Sequence, residues 1–492
     1  MKKPSIMDIA IDAKDSKYYR QVTLSLFVKN IKSIHNSPFQ TKFSIPDIAL
    51  LKLKRTRAYE LAAMDIDQAS IQGNLQILDH MRRVLNKTKA SFRNLKMIIA
   101  GDQLTISRIQ GIQERSVCEA TYFDLMRWAI PVLQLFHMQM ILCSTILKTH
   151  FGHISQPGSL SYYIPLLGRR QLNKDMPSYY VADDFLRVVF DAMTTRMWNS
   201  KTSAFPGPTP MEEDAFEKEI NAIIDQLLVK STTLFSTTST TNANAILFLR
   251  DMTVYIEFCT AIKAGDVGRI ELIMKRITLM LNTGDHKNYG LELLRFMYNS
   301  RHVWSSTRKT AIFSSLLMNT SGHHNHWIPS DLYQEHNNLL TKQTHATIGN
   351  KWSTMNYITP NIRLFHEVAS KINKEFKLTT NSTYHRSSSR DKDSRYVLRS
   401  LEEHDILGID LNPEQHQRHP YTTQYSADLM TTGMEELVHG GYLKFIRRMN
   451  DERLEEELAL DRNLDELMKE LDEEVMHAGT FLHEQFSDNS SR

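Results

Sequence analysis

Cysteine is scarce in this sequence, with only Cys118, Cys143 and Cys259. Odd in number and far apart, they exclude a disulfide framework and any Cys-x-x-Cys zinc module, and an intracellular, reducing compartment, nucleus or cytoplasm, is the simplest expectation. A surplus of one charge is also missing. Lys and Arg number 59 against 56 Asp and Glu, and the formal charge of +3 demands no anionic partner. No apolar h-region follows Met1-Lys2-Lys3, so no secretory signal is expected. There is no Gly-x-x-x-x-Gly-Lys phosphate loop, no Gly-x-Ser-x-Gly elbow and no kinase set, and nucleotide-driven and serine-hydrolase chemistry drop out with them. No repeat of fixed period is present. One stretch, Trp128 to Leu147, has the look of a membrane span. Pro131, Gln134, His137 and Gln139 interrupt it with groups that lipid could not satisfy, so it reads as protein core and no membrane association is expected.

What is present suffices for a large core, since 492 residues can bury one without disulfides or metals. Charge is unevenly placed. Lys and Arg dominate the first sixty residues, including Lys52, Lys54, Arg55 and Arg57, and acids dominate from Asp451 to Glu474. Residues 1–66 form a basic segment broken by Pro4, Pro38 and Pro46, expected as loose helices or a partly ordered arm. Residues 67–378 form the core domain, with a helical insertion at about 200–330. In it, helices are predicted over Asp67–Leu85, Thr105–Arg115, Met138–Leu147 and Ala182–Trp198, and inside the insertion over Ile246–Ala264 and Ile270–Leu281. The run Met97 to Ala100 is short and β-compatible, and it ends in Gly101-Asp102. The Ser/Thr-rich tract Ser231–Thr241 and the polar stretch Thr379–Arg395 read as exposed and mobile, the latter within a linker at 379–429. Residues 430–492 read as C-terminal helices with an acidic tail. There Leu460, Leu464, Leu467 and Leu471 make a narrow apolar stripe suited to a solvated helix or a protein partner. The fold class is mostly α with a small mixed α/β core.

Candidate chemistry gathers around five residues. Asp102 ends an apolar strand, where mixed α/β folds place ligands, and could hold Mg²⁺ or Mn²⁺ for phosphodiester chemistry; the alternative is a turn or cap Asp serving amides near Thr105. Asp331 and Glu335 stand four residues apart on one helix face and could share that ion, although Asp331 also fits a helix start and Glu335 an ordinary exposed side chain. His137 could be a proton shuttle or a core histidine with satisfied ring nitrogens. Asp266, between glycines, fits an N-cap of the helix at Ile270, with metal binding as the other use. His323, His324 and His326 are too closely spaced to hold one ion without distant help and read as a solvated loop.

Gly101-Asp102-Gln103-Leu104-Thr105-Ile106-Ser107-Arg108 and Phe136-His137-Met138-Gln139-Met140 resemble a family of uncharacterised, mostly fungal proteins, the domain of unknown function numbered six-five-eight-nine. Gly73-Asn74-Leu75, Leu249-Arg250-Asp251 with Glu257-Phe258, Gly265-Asp266-Val267-Gly268-Arg269 and Asp331-Leu332-Tyr333-Gln334-Glu335 follow in the family's order, over roughly Asp67 to Phe376. The resemblance implies no activity. Many members resemble relatives of mobile elements, and a strand ending in Asp, a helical insertion and a later helix bearing Glu are similar in organisation to ribonuclease-H-like transposases, an analogy of fold alone.

Two functions follow as expectations. The first is a transposase-like, metal-dependent nucleic-acid-processing protein, active or decayed, with Asp102, His137 and Glu335 catalytic and Asp102, Glu335, Asp331 or Asp266 on the metal, facing a basic surface that meets nucleic acid. The second is a non-catalytic helical scaffold for protein partners. The lack of a zinc finger or other DNA-reading module counts against an intact transposase.

Overall fold

The computed structural model describes residues 11–31, 42–93, 95–116, 123–175, 177–202, 213–348, 352–376, 390–408, 423–442, 444–447 and 449. The chain is mostly helical (69% helix), and two small sheets accompany the helices among the described residues. It divides into two compact units, Met1–Ala62 with Gln134–Gly441 and Ala63–Leu133 with Tyr442–Arg492.

The larger unit opens with α1 (Ala13–Asn30). Asp12 starts it by accepting from the Asp15 amide at 2.8 Å while the Asp15 carboxylate accepts from the Asp12 amide at 3.1 Å, a reciprocal box that satisfies two N-terminal donors. In the segment expected as loose helices, Tyr18, Tyr19, Val22, Phe27 and Val28 are thus buried on a regular helix, with Lys14, Lys17 and Lys29 left exposed. Residues 42–62 then run mostly without regular structure along the same unit, tied by Leu51 N to Gly265 O at 2.9 Å and Val267 N to Ala49 O at 3.0 Å.

The smaller unit contains α2 (Ile71–Val84), β1 (Met97–Gly101), α3 (Gln103–Arg115) and β2 (Ala129–Leu133). β1 and β2 pair in parallel from Met97↔Ala129 to Gly101↔Leu133. A parallel pair needs a long crossover, and α3 lies within that connection. Leu78, Ile109 and Ile112 pack with Phe92, Phe123 and Trp128; the Phe92 and Trp128 rings are 4.5 Å apart and those of Phe123 and Trp128 stack at 5.4 Å. Gly73 weakens the helical pattern of α2 in sequence, yet close packing requires it: a Cβ there would stand 1.8 Å from the Asp67 carbonyl oxygen.

Back in the larger unit, α4 (Leu135–Thr149), α5 (Leu160–Leu166), α6 (Tyr179–Thr202), α7 (Glu213–Leu227) and α8 (Ser231–Thr237) lead to α9 (Thr240–Ala264). Between Asn242 and Ile262 only Arg250 and Thr260 of α9 escape full burial, as expected of a helix surrounded by others, and it packs on α1, α4, α6, α7 and α10 (Val267–Leu281). Its left-handed C-cap is Gly265 at φ 73°, where a Cβ would strike the Trp327 indole at 2.5 Å. Then follow α11 (Lys287–Tyr298), α12 (Ser306–Ser315), the antiparallel pair β3 (Leu317–Met318) and β4 (Ile328–Pro329), and α13 (Ser330–Ile348). The unit ends with α14 (Trp352–Ile358), α15 (Ile362–Glu375), α16 (Arg390–Glu403) and α17 (Leu429–Glu436).

The Ser/Thr tract differs from its expected loop. Ser231–Thr237 is α8 and Ser239 caps α9, because Leu234 is buried as an anchor and the hydroxyls of Thr237 and Thr238 return to the carbonyls of Thr233 and Leu234 at 2.8 and 2.7 Å. Of the stretch Thr379–Arg395, residues 379–389 lie outside the described residues, and Arg390–Arg395 begins α16, whose Val397 and Leu401 are fully buried. The helix expected over Asp451–Val475 also lies outside them. Trp128–Leu147 divides into β2 and α4, and no helix among the described residues is long and apolar enough to cross a membrane.

Candidate functional site

Asp102 sits at the carboxyl end of β1, where the sequence places it. Its Oδ1 accepts from the Thr105 amide at 2.8 Å and caps α3. It belongs to the smaller unit; His137, Asp266, Asp331 and Glu335 belong to the larger one.

Asp331 caps a helix other than its own. Gln134, the residue before α4, makes no capping bond, and its buried amide has no partner on either atom among the described residues. The carboxylate of Asp331, from the first turn of α13, accepts instead from the amides of Phe136 at 3.1 Å and His137 at 3.0 Å, satisfying donors that open every helix. It also meets His137 Nδ1 at 2.9 Å. A carboxylate can only accept, so this contact puts a proton on Nδ1 and fixes the ring. The His137 side chain keeps 29% exposure and that of Asp331 only 9%. Glu335, one turn on, is half-buried and has no hydrogen-bond or ion-pair partner among the described residues.

Asp266 is fully buried and accepts four backbone donors: Gly268 N and Arg269 N at 3.1 Å each from α10, and Ile48 N at 2.8 Å and Ala49 N at 2.9 Å from the N-terminal segment. It is the N-cap foreseen and also a clamp on that segment. His323, His324 and His326 are exposed, with the rings of His323 and His326 5.7 Å apart. Among the described residues no three His, Cys, Asp or Glu side chains gather as ligands of a divalent ion would. Asp266 and Asp331 spend both carboxylate oxygens on backbone amides and do not fit a Mg²⁺ or Mn²⁺ centre, whereas Asp102 gives only Oδ1.

Two buried networks explain motif residues that sequence reasoning left without a role. Glu257 of α9, at 0% exposure, takes Arg269 of α10 in a fork, Nε to Oε1 at 2.8 Å and Nη2 to Oε2 at 2.7 Å, and accepts from the Tyr18 hydroxyl as well. Ser426 Oγ meets His150 Nδ1 at 2.8 Å, and His150 Nε2 meets Asp251 Oδ2 at 2.8 Å. The residue types are those of a hydrolase triad, but the ring nitrogens are exchanged, since a triad places the serine on Nε2 and the carboxylate on Nδ1. All three residues are no more than 4% exposed, so the chain is a cross-link between the end of α4, α9 and the segment before α17. Burial pushes the Asp251 carboxyl above its ordinary range, against the opposing bond from His150. No local signal could reveal it, since the His150–Asp251 contact spans 101 residues and the His150–Ser426 contact 276.

Two surface features of the larger unit remain. On α15, Leu364, Phe365, Val368 and Ile372, with Phe376 at its C-cap, are 46–72% exposed, and Ile362 is the buried residue of that helix. Beside α13, cavities of about 580 Å³ and 360 Å³ share Thr320, Tyr333 and Arg363. Arg363 lies 3.9 Å over the Tyr333 ring, and the Tyr333 hydroxyl donates to Glu60 at 2.7 Å. Burial, then that bond, pushes the phenol up to about 12.

Residues 5–385 match the model of a family described as Family of unknown function (DUF6589). No curated protein and no solved structure matches.

Proposed function

We propose, from the premise that the chain belongs to Family of unknown function DUF6589, that it is a non-catalytic helical scaffold that works by protein–protein contact through α15. The observation that carries this reading is the exposed stripe of Leu364, Val368, Ile372 and Phe376, four residues apart, with Phe365 beside it. A continuous apolar face on a surface helix is a contact face. Burying what remains exposed of these five side chains is worth on the order of 5 kcal/mol per copy. Two copies together reach the ~4–15 kcal/mol that association costs, which gives a weak, concentration-dependent dimer. Charge selects a second copy as the occupant. Glu367, Lys371 and Glu375 alternate in sign every four residues, and an antiparallel pair of α15 helices sets Glu367 against Lys371 of the partner subunit. Sedimentation velocity over a concentration series should show monomers giving way to dimers, and Phe365→Asp with Ile372→Asp should hold the chain monomeric. A parent that stays monomeric at the highest concentration, or a variant that associates unchanged, refutes the reading.

A second reading has one observation in its favour. Asp102 stands at the end of a strand, β1, where the analogy with a ribonuclease-H-like, transposase-related core expects a metal-binding acid. Titration calorimetry with Mg²⁺ or Mn²⁺ on the parent, Asp102→Asn and Glu335→Gln decides it: binding that both variants lose supports metal-dependent nucleic-acid processing, and no binding by the parent removes it. The acidic C-terminal residues 451–475 are the proposed contact for a further protein partner, to be tested by truncation.

A further inference from the structure

Residues 55–60 of the larger unit alternate in exposure. Arg55, Arg57 and Tyr59 are exposed, whereas Thr56, Ala58 and Glu60 are half-buried. Period two is the signature of an extended chain with one face against the protein. The inner face is anchored: Thr56 N donates to Asn319 O at 2.8 Å, Thr56 Oγ1 accepts from Asn319 N at 2.9 Å, and Glu60 Oε1 accepts from the Tyr333 hydroxyl at 2.7 Å. The outer face is not. Arg55 and Arg57 have no hydrogen-bond or ion-pair partner among the described residues, and Tyr59 is 81% exposed. Two guanidinium groups and an aromatic ring therefore project from a backbone held on its other side, which keeps their ordering cost low.

These three residues border the 580 Å³ cavity, whose lining also includes Tyr333 with Arg363 stacked on it. Arg363 is held in place by Asn337 Oδ1 at 2.6 Å. The adjoining cavity adds Lys263, exposed and with no side-chain partner among the described residues. Arg55, Arg57, Lys263 and Arg363 line the two cavities with the acids Glu60 and Glu367, and Glu60 is shared between the Tyr333 hydroxyl and Arg363, 3.8 Å away.

We infer that this cleft is a binding site for single-stranded nucleic acid, with Arg55 and Arg57 on successive phosphates and the Tyr59 ring as a stacking platform for a base. Residues two apart on an extended chain lie roughly 6.5–7 Å from each other, so the two forks can engage neighbouring phosphates separately. A space of this size takes one or two unstacked bases and no duplex. Base stacking on an exposed ring needs no sequence-specific contacts. An acidic peptide could use the arginines but would leave the ring without a role.

The test is fluorescence anisotropy of the full chain with labelled oligothymidylate and oligouridylate at low salt, then over a salt series, beside a duplex of equal length. Single strands should bind more tightly than duplex. Arg55→Ala with Arg57→Ala should weaken binding roughly tenfold or more and reduce the slope of log affinity against log salt by about 1.4, the share of two phosphates. Tyr59→Ala should weaken binding about tenfold and leave the slope unchanged, and Tyr59→Phe should restore it. All three side chains are exposed, so the variants should melt with the parent. The double variant Phe365→Asp with Ile372→Asp should bind like the parent, which separates this site from association through α15. The inference is overturned by absent single-strand binding at low salt, by equal affinity for duplex, by variants that bind like the parent, or by displacement with polyglutamate at matched charge.

Discussion

Replacing Glu257 with Gln removes the charge from one side of a deeply buried ion pair of the larger unit and leaves its partner in place. The carboxylate is 0% exposed and Arg269 6% exposed, and the pair closes through two parallel hydrogen bonds with Tyr18 and Thr260 completing its lone pairs. Solvent can screen neither charge. Burial alone would pull the guanidinium pKa down, but the bonds and charge of Glu257 outweigh it and hold the group above its usual value, so Arg269 stays charged throughout any practical pH range. An uncompensated buried charge costs about 3–5 kcal/mol, which is roughly two to three and a half powers of ten in the folding equilibrium. Replacing both residues, Glu257→Leu with Arg269→Leu, removes the charge and its partner together and should cost much less than the sum of the single changes. The assay is equilibrium urea unfolding followed by tryptophan fluorescence and circular dichroism, with separate transitions fitted if the two units unfold apart. A loss under about 1 kcal/mol for Glu257→Gln would refute the reasoning, since an interaction of that size is what a solvent-exposed pair gives. A double variant as unstable as the two single changes added would refute it too.

Asp331→Ala should cost about 1–3 kcal/mol by uncapping α4 and freeing the His137 ring, read by thermal melting and by the imidazole nitrogen shifts of His137; an unchanged ring signal would show that the contact is unimportant. Gly433→Ala should destabilise by about 1–3 kcal/mol, because a Cβ there would stand 1.8 Å from the Leu279 carbonyl oxygen and force α17 away from α10; a neutral melt would contradict that packing. The backbone amide of Asp15 lowers the Asp12 carboxyl from 3.8 to about 2. A depressed carboxyl stabilises the fold above its ordinary pKa and loses that contribution as pH falls from 3.8 towards 2. Over that window the unfolding midpoint of the parent should fall more steeply than that of Asp12→Asn, and parallel slopes would show that the cap carries no pH dependence.

The elements with local signals are legible in the order of residues alone. Ile270, Ile273, Met274, Ile277 and Leu281 recur at helical spacing and lie buried on α10, and Met97 to Ala100 stands as strand β1 with Asp102 just beyond it. Asp266 and Asp102 are legible as caps because a cap acts on amides two or three residues away. What those residues face is set by the folded chain. Asp331 carries a start signal for its own helix, but its carboxylate serves α4, 194 residues earlier in the chain. Glu257 and Arg269 read as ordinary polar residues until α9 and α10 close on each other and strip the water from both. The Ser/Thr tract lacks apolar side chains enough to order itself, and one buried leucine in the folded chain is sufficient to hold it as α8. Periodicity and capping act within one or two turns, where neighbours in sequence are neighbours in space. Burial and charge pairing are set by residues a hundred or more positions distant, and their positions exist only once the chain has folded.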